Sequence, residues 1–369
     1  MLLFGSWVLS PADCYAGEGS PGQKHGDIEK LSQLVKDKKH SDRARIKTAK
    51  LLAESGDEKA LLPLFEVIKN PEERAIFRAA ITRDLVRSQQ KAKVVAFLKE
   101  RIEDPKEASE VRAAAAEGLG QLKMPESRDV LVRTSSDKDP KVRLAARAAL
   151  LELGGEGIDR TSILISILKD FDQPGPARAS AAEQLGELKD ERALPALIHA
   201  LQEKSSEPAS PSKPADFFAS RASIRGNVPV AAARALGRLG DSKAIPALLS
   251  IAQTPHTELR ITVFEALAKL RANEAVPAAR KALSDTNQRV RRWAGVLLKE
   301  VGAREALPEL RQALSDPDPG VRLQAAQAIE KMQDQESIEK LRETFQQETN
   351  KEVREAISKA IEKLSSSSE

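Results

Sequence analysis

The chain of 369 residues is 41% hydrophobic but only 3% aromatic, and it carries 59 Lys and Arg against 55 Asp and Glu. A core with so few aromatic residues must consist mainly of Ala and Leu, which favours close-packed helices over a β-sandwich. The single cysteine excludes disulfide scaffolds and Cys-rich zinc modules, and the balanced net charge of +4 argues against a polybasic arm or an acidic tail.

The N-terminal segment 1–16 has the order of a secretory leader. An uncharged apolar run at 1–9 is followed by the helix breaker Pro11 and then by the small residue Ala16, ahead of a stretch rich in Gly, Ser and Pro. We therefore expect a signal peptide over 1–16, cut after Ala16, and a flexible linker over 17–27. The basic n-region is missing, which a start codon assigned too far downstream would explain.

This leader predicts a periplasmic or secreted protein, and the alternative is the frayed N-terminus of a cytoplasmic chain. Lipidation of Cys14 is a further alternative. It is disfavoured because Pro11, Ala12 and Asp13 stand where a lipoprotein signal has Leu and small residues. Beyond the leader, no uncharged apolar run approaches the roughly 18 residues that span a bilayer, so no transmembrane segment is predicted there.

Ten copies of one pattern follow the leader. The pattern has a small or β-branched residue before a reference position, small residues three and four later, and Leu or Ile seven later, and most copies match most of these positions. Successive reference positions are 31 to 35 residues apart, except for one step of 51, which indicates one repeated structural unit. The reference residues are Arg45, Arg78, Arg112, Arg143, Arg178, Pro229, Arg260, Arg291, Arg322 and Arg354.

Each unit is predicted to be two antiparallel helices. The positions before the reference residue, three after it and seven after it share one face of an α-helix, here named helix A. A glycine eleven residues after the reference position, such as Gly56 or Gly302, predicts a left-handed cap that ends helix A. Prolines such as Pro195 and Pro277 then mark the first turn of a second helix, helix B. One hairpin cannot bury its apolar face alone, so we predict an all-α solenoid, a superhelix of about ten stacked units.

The pattern resembles the HEAT repeat family, particularly the short bacterial HEAT-like repeats also seen in phycobilin lyases, over about residues 28–364. An acidic residue six positions before the reference arginine is a further HEAT feature. The resemblance implies that such pairs form a ladder that links adjacent repeats, so we interpret these arginines as structural. The pairs are Glu72 and Arg78, Asp137 and Arg143, Asp172 and Arg178, Asp285 and Arg291, Asp316 and Arg322, and Glu348 and Arg354.

The longest step between reference positions contains a Ser/Pro-rich insertion that cannot bury apolar area, and we expect a flexible excursion and the hinge of the chain there. Phe217 and Phe218 at its end are interpreted either as a short plug against repeats five and six or as an exposed docking element. The predicted divisions are repeats one to five over 28–202, the insertion over 203–227, repeats six to ten over 228–364 and a disordered tail over 365–369.

Three arginines occupy one position of helix B in successive repeats: Arg280, Arg311 and Arg342. With about 10 Å between stacked helices, they predict a positive track about 20 Å long on the face expected to be concave, which would suit an acidic protein segment or another polyanion. The alternative is a solvated face on which these arginines pair with nearby acids. Those acids are Glu309, Glu339 and Glu343.

Trp293 is the only tryptophan after the leader, and it stands two positions past the reference arginine on helix A. It is interpreted either as the anchor of a protein interface or as packing against the neighbouring repeat. HEAT-like DNA glycosylases use a Trp in a concave groove. Trp293 lies on the wrong helix for that role, and too few aromatic residues are present for base stacking, so nucleic acid is disfavoured as a partner.

Catalytic and metal chemistry find little support in the sequence. The four histidines are isolated from one another, and a metal site needs several converging ligands. HEAT-fold deoxyhypusine hydroxylases hold iron with His-Glu pairs, which this chain lacks. No nucleophile elbow or Gly-rich phosphate loop is present either. We therefore predict no catalytic residue, no metal and no cofactor.

The leading hypothesis from the sequence is a non-catalytic scaffold or adaptor, monomeric and in the bacterial envelope, that presents an extended surface to a protein partner. The first alternative is binding of a polyanion or nucleic acid through the arginine track. A lyase-type enzyme is the least favoured option, because the resemblance to phycobilin lyases rests on residues that define a fold shared by proteins of many functions.

Overall fold

The computed structural model describes residues 21–203 and 227–366. The predicted signal peptide, most of the predicted insertion with Phe217 and Phe218, and the last three residues lie outside these ranges. Within them the chain forms α-helices joined by short turns and contains no β-strand, which confirms the predicted all-α solenoid class. No helix in these ranges combines the length and the apolar character that crossing a bilayer requires.

The helices alternate as predicted between helix A and helix B. Within the described residues ten helices contain the reference positions: α2 (Asp42–Glu54), α4 (Ala75–Asp84), α6 (Ser109–Leu122), α8 (Pro140–Leu153), α10 (Gly175–Leu188), α12 (Val228–Leu239), α14 (Thr257–Lys269), α16 (Gln288–Val301), α18 (Pro319–Met332) and α20 (Lys351–Ser366). The B helices described are α3 (Leu61–Lys69), α5 (Lys91–Glu103), α7 (Arg128–Thr134), α9 (Arg160–Lys169), α11 (Leu194–Leu201), α13 (Ile245–Ser250), α15 (Val276–Ala282), α17 (Leu307–Ala313) and α19 (Ile338–Gln347).

The two ends of the described chain depart from a simple count of ten hairpins. A further helix, α1 (Pro21–Lys36), packs on α2 and α3, and its Lys36 pairs with Glu66 of α3. It therefore takes the position of a helix B ahead of the first repeat. The tenth copy contributes helix A alone to the described residues, so nine complete hairpins lie between these two helices.

The chain divides into two compact units, Met1–Arg160 and Thr161–Glu369. This division falls about one repeat before the hinge predicted at 203–227, and that hinge stays a prediction. Helices α10 and α12, which flank the insertion, both belong to the second unit and pack side by side. Stacking of helix A on helix A thus continues across the longest step in the sequence.

Ion pairs between α10 and α12 show the same continuity. Arg234 bonds to Glu183 at 2.7 Å and Arg238 to Glu187 at 3.3 Å, and each pair joins residues 51 positions apart. That separation equals the anomalous step between reference positions. The added residues therefore leave the helices on either side in the register of neighbouring repeats.

Small residues allow the A helices to approach one another closely. A Cβ added to Gly186 would lie 2.6 Å from the Ala235 Cα, and one added to Gly120 would lie 2.7 Å from the Ala149 Cα. Both glycines stand eight residues after a reference position, so the close crossing recurs with the repeat. A core built in this way uses Ala and Leu and has little room for aromatic rings, which explains the composition.

Helix A ends in a left-handed residue in most repeats, and the predicted left-handed glycine caps are confirmed at Gly240 and Gly302, with φ of +81° and +71°. Gly56 and Gly154 also have positive φ, but the ψ of −160° at Gly154 is not that of a left-handed cap. The same repeat position is left-handed in four further copies that lack glycine. These residues are Lys123, Lys189, Arg271 and Gln333, with φ between +50° and +53°. The stacked turn therefore imposes this conformation even on residues that disfavour it.

The caps give a matched pair of stability predictions. Lys123→Gly relieves the left-handed strain and is expected to raise the free energy of unfolding by about 1 kcal/mol. Gly302→Ala introduces the same strain where the described residues place no neighbouring atom within 4 Å, and is expected to lower it by about 1 kcal/mol. Urea unfolding followed by circular dichroism measures both, and a lower midpoint for Lys123→Gly would contradict the assignment.

Candidate protein-binding surface

The reference arginine clamps two successive loops between repeats. Arg291 of α16 donates from Nε and Nη2 to the Asp316 carboxylate, both at 2.8 Å, in the loop that follows α17. Its Nη1 donates to the main-chain oxygen of Asp285 at 3.0 Å, in the loop that precedes α16. One guanidinium therefore holds the entrance and the exit of its hairpin at a fixed separation.

The clamp corrects the predicted pairing within the ladder. In four of the six predicted pairs, the acid six positions before an arginine offers its main-chain oxygen to that arginine, and its carboxylate to the arginine of the preceding repeat. Asp316 illustrates both, since its main-chain oxygen accepts from Arg322 at 2.8 Å while its carboxylate binds Arg291. The other carboxylate pairs are Arg45 with Glu73, Arg78 with Glu107, Arg112 with Asp137, Arg178 with Glu203, Arg260 with Asp285, and Arg322 with Glu348.

Two predicted ladder acids are exposed, and the residue beside each of them is buried instead. The carboxylate that binds Arg45 belongs to Glu73, which is buried, and not to its exposed neighbour Glu72. Asp172 is likewise exposed, and the buried residue beside it is Gln173. In these repeats the buried side chain of the loop therefore stands one position closer to helix A than the predicted spacing places it.

Two predicted ladder arginines have clamp contacts with the main chain. Arg143 donates to the main-chain oxygen of Asp137 at 3.1 Å. Arg354, in the last described helix, donates to the main-chain oxygen of Glu348 at 3.2 Å and lies over the Phe345 ring at 4.0 Å. Both contacts hold the loop that precedes helix A.

A contact between two buried side chains takes the place of the clamp in repeat six, where Pro229 occupies the reference position. Asn227 Nδ2 lies 3.2 Å from His256 Nε2, and both side chains are buried. His256 also caps α14, because its Nδ1 accepts from the Leu259 N–H at 3.2 Å. The two successive loops are therefore still in side-chain contact where the arginine is absent.

The clamp lowers the pKa of its carboxylate. Hydrogen bonds from Arg322 hold the pKa of Glu348 below its ordinary value of 4.5, against the opposing effect of burial, and the Asn350 N–H adds to the lowering. A carboxyl with a depressed pKa in the folded state stabilises the fold above its unfolded pKa. That stability is lost as the pH falls from about 4.5 through the lower folded value.

Glu348→Gln tests this clamp. We expect the variant to lose roughly 2 kcal/mol of unfolding free energy at pH 7, because a charged hydrogen-bonded pair is removed, and to differ far less from the wild type at pH 3. Urea midpoints at the two pH values measure the difference. Glu352→Gln, at an exposed position of α20, is the matched control, and a loss at Glu348 that is the same at both pH values would contradict the clamp.

The predicted positive track is a row of ion pairs. Arg280 bonds to Glu309 at 2.6 Å, and Arg311 bonds to Asp334 and Glu336, both at 2.8 Å. Arg342 bonds to Glu339 at 3.1 Å, whereas Glu343 pairs with Lys340. The three arginines occur in the second unit at the repeated helix B position, but their charge is balanced by carboxylates, as in the alternative interpretation.

Trp293 lies on α16 as predicted and is half-buried, beside the buried Ala294. It stands on helix A, apart from the arginine row on the B helices. The structure therefore does not bring the predicted partner-binding residues together into one site.

Two equivalent clefts lie in the second unit, each between the loop that follows one B helix and the next B helix. One, of about 360 Å³, is lined by Phe264, Ala278 and Lys281, with the Arg260–Asp285 clamp among its lining residues. The other, of about 320 Å³, is lined by Lys340 and Thr344 beside the Arg322–Glu348 clamp. Arg322 is the second reference residue after Arg260, so the clefts share a register and are separated by two repeats.

The two clefts share the ion pair of the clamp and differ in the residues that helix B contributes. The clamp supplies the same kind of ion pair to each, whereas the helix B wall carries Ala278 and Lys281 in one cleft and Lys340 and Glu343 at the corresponding positions of the other. Sequence reasoning missed these clefts because it treated the arginines only as structural. The signal that could have found them is the change of residue type between corresponding helix B positions two repeats apart.

No grouping of three His, Cys, Asp or Glu side chains in the described ranges could hold a metal ion. The polar groups that recur with the repeat instead bind one another across loops. The geometry offers repeated clefts with side chains of differing polarity, which is the arrangement of an α-solenoid that recognises an extended ligand.

Comparison with known protein families identifies the repeat. The family model of HEAT repeats matches residues 106–170, 221–298 and 276–362, which is more than half of the chain. The model of the PBS lyase HEAT-like repeat matches residues 177–203. The chain belongs to the HEAT-repeat family, as its pattern predicted. No curated protein sequence matches it at a significant level.

Solved structures show the same architecture. A mutant of the karyopherin Kap121p is similar with a TM-score of 0.60 at 15% identity, covering 94% of this chain and 42% of Kap121p. Kap121p bound to Nup53p gives 0.57 at 15% identity over the same shares. This chain thus spans less than half the length of Kap121p. Human deoxyhypusine hydroxylase matches with a TM-score of only 0.32 at 20% identity, covering 84% of this chain and 96% of the hydroxylase.

Proposed function

We propose that the protein is a non-catalytic scaffold that binds an extended segment of a partner protein along its B helices. The observation that carries this proposal is the recurrence of one cleft, with its clamp, two repeats apart in the second unit. Neighbouring B helices lie about 10 Å apart, so the clefts are separated by about 20 Å, the length of about six extended residues. One segment can therefore place side chains in both clefts.

Two further observations support a binding role over a catalytic one. The buried His256 is committed to capping α14 and to its contact with Asn227, and the clamp arginine Arg291 is bonded to two loops. These groups hold the fold in place. Kap121p, which shares the solenoid architecture, has been solved in complex with Nup53p and with Pho4p, so the same stacked hairpins present protein-binding surfaces in another protein.

We do not propose that Arg280, Arg311 and Arg342 bind a polyanion. Each guanidinium already faces a carboxylate, and Arg311 faces two. A polyanion would have to displace these carboxylates, and Asp334 would then lose its cation while buried.

Filling the clefts tests the scaffold proposal. Ser284 and Ser315 are exposed serines in successive loops, and each lines one cleft. The double variant Ser284→Trp and Ser315→Trp places a large side chain in both clefts without changing a clamp. The wild type and the variant are each used to capture proteins from extract of the native organism, and the captured proteins are measured by quantitative mass spectrometry. We expect the variant to capture at least about tenfold less of each protein that binds the wild type.

The matched control makes the same exchanges away from the clefts, at the exposed Ser242 and Ser358. It is expected to retain the wild-type set of proteins. Equal retention by the cleft variant, or a wild type that retains nothing beyond what the cleft variant retains, would contradict binding at the clefts.

We further propose that the chain is exported to the bacterial envelope as a monomer, on the strength of the leader pattern over 1–16. Expression of the full sequence in a bacterial host is expected to yield a periplasmic protein whose N-terminal residue is Gly17, as measured by fractionation and N-terminal sequencing. Val8→Asp interrupts the apolar run and is expected to leave the chain in the cytoplasm. An uncleaved cytoplasmic wild type would contradict export.

A further inference from the structure

Four lysines from three A helices of the second unit surround one cleft. Lys299 comes from α16, Lys331 from the end of α18, and Lys359 and Lys363 from α20. The cleft has a volume of about 610 Å³. We call it the lysine cleft. It lies on the A helices, apart from the clefts between the B helices.

Lys299 is the central residue of the lysine cleft. Its ammonium donates to the Oε1 atoms of Gln324 and Gln327, at 2.8 and 2.9 Å, so these hydrogen bonds go to neutral amides. Burial lowers the pKa of Lys299, the nearby Glu300 carboxylate opposes this, and the positive charge of Lys331 lowers it further. An added anion would therefore stabilise this ammonium, which is half-buried and bonded to two amides.

The surrounding charges give the cleft an excess of cations. Lys359 and Lys363 share the carboxylate of Glu330, at 3.5 and 2.5 Å. Lys331 lies 3.9 Å from the Glu300 carboxylate and 3.3 Å from its main-chain oxygen. The described lining of this cleft thus contains four lysines and one acid, Glu330, in contrast to the arginine row, where each guanidinium has a carboxylate of its own.

The spread of the donors favours an extended chain of carboxylates over a single phosphate group. Ammonium groups are compact point charges on separate flexible stems, so each can pair with a different carboxylate. The described lining of this cleft contains no arginine. The three A helices lie about 10 Å apart in sequence order, so the lysines extend over about 20 Å, enough for about six extended residues.

We propose that the lysine cleft binds an acidic segment of a partner protein, whose carboxylates contact Lys299, Lys331 and Lys359. The proposal rests on the scaffold function above and assigns the chemistry of one of its partners. It places a second, electrostatic binding site on the A helices of the same unit that carries the clefts between B helices.

A labelled peptide of six glutamates, titrated with the full chain in 50 mM salt and followed by fluorescence anisotropy, tests the proposal. The double variant Lys299→Met and Lys331→Ala removes two cations. Every buried carboxylate still keeps a cationic partner in this variant. We expect its Kd for the peptide to rise about tenfold, since each lost charge contact accounts for a few-fold. Raising the salt to 300 mM is expected to weaken wild-type binding by a similar factor.

The control is the double variant Lys141→Met and Lys351→Ala, which makes the same exchanges at strongly exposed lysines outside the cleft. Its Kd is expected to stay within about twofold of the wild type. Equal weakening in both variants, or in neither, would overturn the proposal, and so would tighter binding of inorganic polyphosphate of equal charge. If the lysine variant binds the peptide normally while the Ser284 and Ser315 variant loses its partners, the lysine cleft is rejected and the scaffold function stands.

Discussion

A two-helix hairpin with an apolar flank on each side is unstable alone, and the structure depends on burying each flank against the next hairpin. In this chain the burial is made by short side chains. At Gly186 and Gly120 the A helices come so close that a methyl group would collide with the backbone of the next helix. Such packing gives many small contacts and few large ones, which suits a core of Ala and Leu.

Close packing alone does not fix how far one hairpin slides on the next, because small side chains provide few interlocking shapes. The arginine clamp supplies that register by binding both loops that flank its hairpin, as Arg291 does with Asp285 and Asp316. Its geometry matters more than its net energy, since the gain of a partly buried ion pair is offset by desolvation. Where Pro229 stands in place of the arginine, the side chains of Asn227 and His256 are in contact between the same loops.

Sequence reasoning recovered the features that recur with the repeat. The period, the helix B prolines and the glycine caps each reflect a local conformational rule, so they could be read from single positions. The pairing partner of each arginine could not, because spacing shows that Asp316 precedes Arg322 but not that its carboxylate turns back to Arg291. Likewise the packing of α10 on α12 could not be predicted, since a Ser/Pro-rich composition says nothing about whether the helices before and after it touch.

The lysine cleft illustrates the same limit at the level of function. Its members come from three repeats, and only Lys331 and Lys363 share a repeat position, nine residues after the reference arginine, so no column of the sequence aligns all four. The arginines of the B helices do form a column, yet carboxylates that are equally regular neutralise them. Regular spacing therefore identified the arginines, whose charges are balanced by carboxylates. Only the side-chain geometry distinguished them from the lysines of the cleft, whose charges are not.

The residues at the two borders of the insertion affect how readily the sequence between them can change in related chains. Glu203 is held by the Arg178 clamp, and Asn227 by its contact with His256, so both ends are anchored in neighbouring repeats. The entropy of closing a loop between fixed ends rises only slowly with its length, by about 0.6 kcal/mol for each doubling. The insertion is thus a place where new sequence can be accepted at little thermodynamic cost, and where variation between related chains can accumulate without disturbing the stack.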